Sequence, residues 1–98
     1  MLGDMMEKLR KMQEQVETTK LKLSNQEIST EKEGIKIRIN GLREIQEIEI
    51  APTLFEDHEM LQELLITAVN RSIKEADALY DREMAGAAQS IMPNLPGM

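Results

Sequence analysis

Along the first part of the chain, apolar residues recur at alternating intervals of three and four: Leu2, Met5, Leu9, Met12, Val16, Thr19 and Leu23. This spacing is a heptad seam with one polar member, and it predicts a helix with a narrow apolar stripe. A seam this short does not make a self-contained coiled coil, so part of the stripe is expected to pack on the protein's own core. The period then changes to two. Ile35, Ile37 and Ile39 alternate with Lys36 and Arg38, the pattern of a half-buried strand. Upstream, residues 24–31 with Ile28 read as a weaker strand turned by Lys32, Glu33 and Gly34, and Ile48 and Ile50 belong to a third strand. Asn40-Gly41 is an ordinary signal for a two-residue type I′ hairpin. That register sets Arg38 opposite Arg43 and Ile37 opposite Glu44. A loop from Asn40 to Arg43 instead pairs Ile35 with Ile48 and Lys36 with Glu47, and it is preferred.

Pro52 ends the third strand. A helix is expected from about Asp57, whose carboxylate can cap free amides while Glu56 and Glu59 favour the positive end of the helix dipole. Met60, Leu61, Leu64, Leu65, Ala68, Ser72, Ile73, Ala76, Leu79 and Tyr80 hold a helical period to about Met84. After Gly86 the segment with Pro93, Pro96 and Gly97 has no period, so the expected organisation is one domain over residues 1–86 and a flexible tail over 87–98. The fold class is α+β, with an antiparallel sheet of three strands between two long helices. A second helix of this length spans roughly 42 Å, against about 20 Å for a strand. Both helices must therefore overhang the sheet, and the overhanging stripes need each other or a second chain to cover them. A dimer with a projecting two-helix arm on each subunit is the economical solution.

Composition narrows the function. There are no cysteines, which removes disulfide frameworks and thiolate metal sites. No stretch approaches a membrane span, and Asp4, Glu7, Lys8 and Arg10 stand where a signal peptide needs an apolar core, so a cytoplasmic protein without membrane association is expected. The net charge of -6 argues against indiscriminate nucleic-acid binding. Most of that net charge lies in residues 51–98, however, where three Lys/Arg stand against eight Asp/Glu. With one Phe, one Tyr and no Trp, the chain lacks a stacking platform for single strands, so any nucleic-acid partner should be duplex held through its backbone.

The single histidine, His58, sits in an acidic first helical turn without a ligand set or nucleophile, and no phosphate loop or catalytic elbow is present. No enzyme, metal or cofactor is read here. Of the methionines, Met5, Met12 and Met60 are expected in packing and Met6 in an exposed contact. Lys8, Lys11 and Lys22 fall within about 60° of one another on the first helix, making the best local cationic surface. Arg71 and Arg82 share a face of the second helix with Lys74 nearby, but Glu75, Asp77, Asp81 and Glu83 lie close. DNA-contact candidates are therefore Lys8, Lys11 and Lys22, with Arg71 and Lys74 secondary. Ile35, Ile37, Ile39, Ile48 and Ile50 are the candidates for an apolar face serving the core or a dimer.

The order of these pieces carries a resemblance. The opening MLGDMMEKLRKMQ, the strand IKIRING, the strand-Pro-helix passage IEIAPTLFEDHEMLQELLITAVNRSI and the ending AQSIMPNLPGM together resemble the YbaB/EbfC family of bacterial nucleoid-associated DNA-binding proteins over nearly the whole chain. The resemblance implies α-β-β-β-α subunits in a tweezer-like homodimer. It also implies location in the cytoplasm on the nucleoid, arms that straddle duplex DNA, and an effect on gene expression or nucleoid organisation. The alternative is a dimeric protein-interaction adaptor that holds a replication or recombination-repair protein, which suits an acidic surface with protruding amphipathic helices.

Overall fold

The computed structural model describes residues 2–91. Helix α1 (Leu2–Ser24) leads into strands β1 (Glu27–Lys32), β2 (Ile35–Asn40) and β3 (Ile45–Ile50), followed by a short 3-10 turn (Pro52–Glu56) and helix α2 (His58–Ile91). The sheet is antiparallel in the order β1-β2-β3, so β2 is central. Alternation on β2 puts Ile35, Ile37 and Ile39 on one face, and all three are buried. Ile35 and Ile37 join Leu54 and Leu61 in the core, with Ile50, Leu64, Leu65, Ala68 and Val69 packed around them. Ile48, on the same face of the sheet, is 41% exposed, so the apolar face is only partly covered within one chain.

The first hairpin closes through Glu33 and Gly34, both at positive φ (54° and 87°), which is the type I′ arrangement. The second hairpin corrects the expected register. Ile35 pairs with Ile50 and Lys36 with Glu49, where Ile48 and Glu47 were expected. Two features displace the strand by one residue each. The Asn40 side-chain oxygen accepts hydrogen bonds from the Leu42 and Glu44 amides, each at 3.0 Å, and Arg43 takes a left-handed φ of 67°, so the connection is three residues rather than four. The register then shifts again between Arg38 and Ile39, a bulge that leaves Gln46 without a partner. A displacement of two preserves parity, so isoleucine still faces isoleucine and glutamate still faces lysine.

Gly41 is fixed by close approach rather than by turn geometry. A Cβ there would lie 2.6 Å from Leu23 Cδ2, and the Gly41 amide donates to the Leu23 carbonyl at 2.9 Å, tying the second hairpin to the end of α1. At the start of α2, the Asp57 carboxylate accepts from the Met60 amide at 3.1 Å, the expected cap. The helix then runs through Gly86 to Ile91 with Ala87 buried, five residues past the expected boundary of the tail. Glycine in a helix interior is tolerated when neighbouring turns are held by packing. The rest of the expected tail, residues 92–98, lies outside the described residues.

Candidate nucleic-acid interface

The heptad seam divides into two halves. Thr19 and Leu23 are buried and Met12 and Val16 half-buried, the latter pair lining a small gap with Met84, Ala87 and Ala88 of α2. Leu2, Met5 and Leu9 are 57–78% exposed. Met5 therefore does not pack as expected within one chain, and neither does Met60, at 44%. The result is an elongated molecule with extents of 67 × 24 × 15 Å, in which the N-terminal part of α1 projects with its apolar stripe open.

The lysine stripe follows the same division. Lys8 and Lys11 are exposed on the projecting half, and among the described residues no ion pair engages them. Lys22 is different, because its ammonium sits 3.1 Å from the Glu83 carboxylate of α2, which is only 24% exposed. Arg10, on the other side of α1, is held by Glu7 and Glu14. On α2, Arg71 lines a cleft beside β1 and Lys74 is exposed nearby. Because α1 and α2 run antiparallel through the Lys22–Glu83 contact, Lys8 and Arg71 are separated by roughly 40 Å along the arm at 1.5 Å per residue. One chain therefore does not gather all five candidate cations into one patch.

Two pairings were not visible from sequence spacing. Glu83 is neutralised by Lys22, and Asp77 by Arg43 at 2.9 Å, with the Arg43 guanidinium also lying 4.5 Å from the Tyr80 ring centroid. Their partners stand 61 and 34 residues away, beyond any helical-wheel argument. Two of the four acids that seemed to cancel Arg71, Lys74 and Arg82 are thus occupied elsewhere.

The apolar candidates also separate. Ile35, Ile37 and Ile39 are buried and Ile50 is half-buried, whereas Ile45 and Ile48 are 40% and 41% exposed on β3. At 100° per residue, Leu65, Val69, Ile73 and the 62%-exposed Ile66 fall on the side of α2 away from the β1 cleft, toward β3. With the sheet order β1-β2-β3, that places them on the same side of the molecule as Ile45 and Ile48. No helix among the described residues is long and apolar enough to cross a membrane.

Comparison with known proteins agrees with this architecture. The model of the YbaB/EbfC DNA-binding family matches residues 1–91. A nucleoid-associated protein of Flavobacterium johnsoniae is 33% identical over 99 residues, covering 99% of this chain and 93% of the relative. One from Hahella chejuensis is 35% identical, covering 95% and 91% respectively. In the fold comparison, the crystal structure of an uncharacterized protein from Helicobacter pylori has a TM-score of 0.68 at 22% identity, over 76% of this chain and 90% of that one, a likeness of fold.

Proposed function

Because this chain belongs to the YbaB/EbfC DNA-binding family, whose curated relatives are nucleoid-associated proteins, we propose that it binds duplex DNA as a homodimer and acts in nucleoid organisation or gene expression. The observation that carries the reading is the projecting half of α1, where no ion pair engages Lys8 or Lys11 among the described residues. Cations free of ion pairs release counterions on meeting phosphate without first breaking a salt bridge. Two such arms on one dimer straddle a duplex and hold its backbone, with little demand on base sequence.

Dimerisation is supported by the open strip of Ile45, Ile48 and Ile66 beside the half-buried Val69 and Ile73. Contiguous exposed apolar surface on a small domain marks an interaction site. A second copy of the same strip covers it around a two-fold axis. The test combines light scattering with a gel-shift titration of purified protein on duplex DNA at several salt concentrations. A mass of twice the chain and a mobility shift that fades as salt rises are expected. A monomer at micromolar concentration, or no shift even at low salt, overturns the corresponding half of the proposal.

The second reading, an adaptor for another protein, is favoured by one observation, the cleft between β1 and α2.

A further inference from the structure

Strand β1 is an edge strand, and its inner partner bonds are known from the register. Lys32 faces Ile35 across the two-residue turn, and the Gly41 amide donates to the Gln26 carbonyl at 3.0 Å. Even-numbered residues of β1 therefore use their backbone groups toward β2. By the alternation of an antiparallel ladder, the N–H and C=O groups of Glu27, Ser29 and Glu31 point away from the sheet, and no strand among the described residues pairs with them. Above this edge α2 overhangs and encloses a cleft of about 310 Å³, floored by Ile35, Leu64 and Ala68 and bounded by Thr67 and Arg71. On the cleft face, the Thr30 hydroxyl is hydrogen-bonded to that of Ser72 at 2.8 Å, which anchors β1 under the helix.

The charge of the opposite face selects what can pair here. Glu27, Ser29 and Glu31 lie exposed on the outer surface of the sheet. A second copy of β1 in antiparallel register, with odd-numbered residues bonding to odd, sets Glu27 opposite Glu31 or an acid opposite Glu33, and like charges directly opposed are destabilising. The other edge of β1 already shows the complementary chemistry: β2 offers Lys36 to Glu31 and Arg38 to Ser29 while turning its isoleucines inward. Arg38 also reaches Glu27 at 3.7 Å.

We propose that the free edge of β1 and the cleft beneath α2 are a docking site for an extended segment of another protein in which basic and apolar residues alternate. The segment adds a fourth strand, places its cations over Glu27 and Glu31, and inserts its apolar side chains between Thr30 and the Leu64–Ala68 floor. This site uses neither Lys8 nor Lys11, the arm cations that carry the DNA reading, and shares with that reading only the secondary candidate Arg71.

The probe is a fluorescein-labelled peptide alternating lysine and valine, compared on the full-length chain with a peptide of the same composition in block order and with an alternating glutamate and valine peptide. The alternating basic peptide should bind at least about tenfold more tightly than either control, the ratio expected when ordered main-chain hydrogen bonds and side-chain charge both contribute. Hydrogen exchange should slow at the Ser29 and Glu31 amides. Ser29→Pro removes an outward amide from an edge strand, where proline is tolerated, and Thr67→Trp fills the mouth of the cleft from an exposed position. Each should abolish peptide binding and leave the duplex gel shift unchanged. Equal binding of the block-order peptide, protection elsewhere than β1, loss of DNA binding in the two variants, or a halving of the dimer mass on adding peptide overturns the proposal.

Discussion

Asn40 shows how one side chain joins three elements. Its oxygen accepts from the Leu42 and Glu44 amides, and its nitrogen donates to the Ser24 carbonyl at 3.3 Å and the Glu44 carboxylate at 2.8 Å, so it binds the end of α1 to the second hairpin. Asn40→Ala should lower stability by about 1–3 kcal/mol, since groups in a nearly closed site lose their partners. Urea unfolding at fixed protein concentration measures this, and an unchanged midpoint would remove Asn40 from its structural role. A second contrast tests the faces of β2. Ile37 is 0% exposed, so Ile37→Asp buries an unpaired charge and should unfold or dissociate the protein, whereas Lys36→Asp lies on the outer face and should leave it folded. If circular dichroism finds the reverse, the faces are exchanged. The isoleucine face was legible because alternation is a local signal. Asn40-Gly41 was not, because the same dipeptide serves a type I′ turn, an Asn-capped loop or a close backbone contact, and only Leu23 at 2.6 Å from the missing Cβ decides among them.

At the scale of elements, heptad spacing and capping chemistry made both helices legible, including the Asp57 cap. The length of α2 was less so. Proline and glycine after Met84 weaken local helix propensity, but α1 lies alongside, and Met12 and Val16 gain from the continued presence of Ala87 and Ala88. Tertiary packing overrides a propensity deficit of about 1 kcal/mol for one glycine. Truncation after Gly86 should therefore lower the melting temperature clearly more than truncation after Ile91, because the first uncovers the half-buried part of the α1 seam. Equal melting of the two truncated chains in calorimetry would mean that the last turns of α2 add nothing to the arm. The strand register shows a different limit. Pairing of opposite charges fixed its parity, but the loop length and the bulge at Gln46 have no sequence pattern of their own.

At the scale of the whole molecule, the sequence made the overhanging arms legible through lengths alone, but the distribution of free charge depends on contacts between distant residues. Ile48→Lys tests the proposed assembly: the position is already 41% exposed, so the isolated chain should fold, while the charge should split the proposed homodimer and halve the mass in light scattering. Persistence of the dimer would move the interface away from β3. The DNA contact is tested by salt. From sequence, Lys8, Lys11 and Lys22 on two subunits neutralise at most about six phosphates, a slope of log affinity on log salt near -5. With Lys22 held by Glu83, and no ion pair on Lys8 or Lys11 among the described residues, the expectation falls to about four phosphates and a slope nearer -4. Lys22→Gln should accordingly leave the slope almost unchanged, whereas Lys8→Gln together with Lys11→Gln should flatten it and weaken binding to all sequences alike. A Lys22→Gln variant that loses as much slope as either single lysine change would show that the duplex draws Lys22 away from Glu83, and the contact would then extend down the arm toward the sheet.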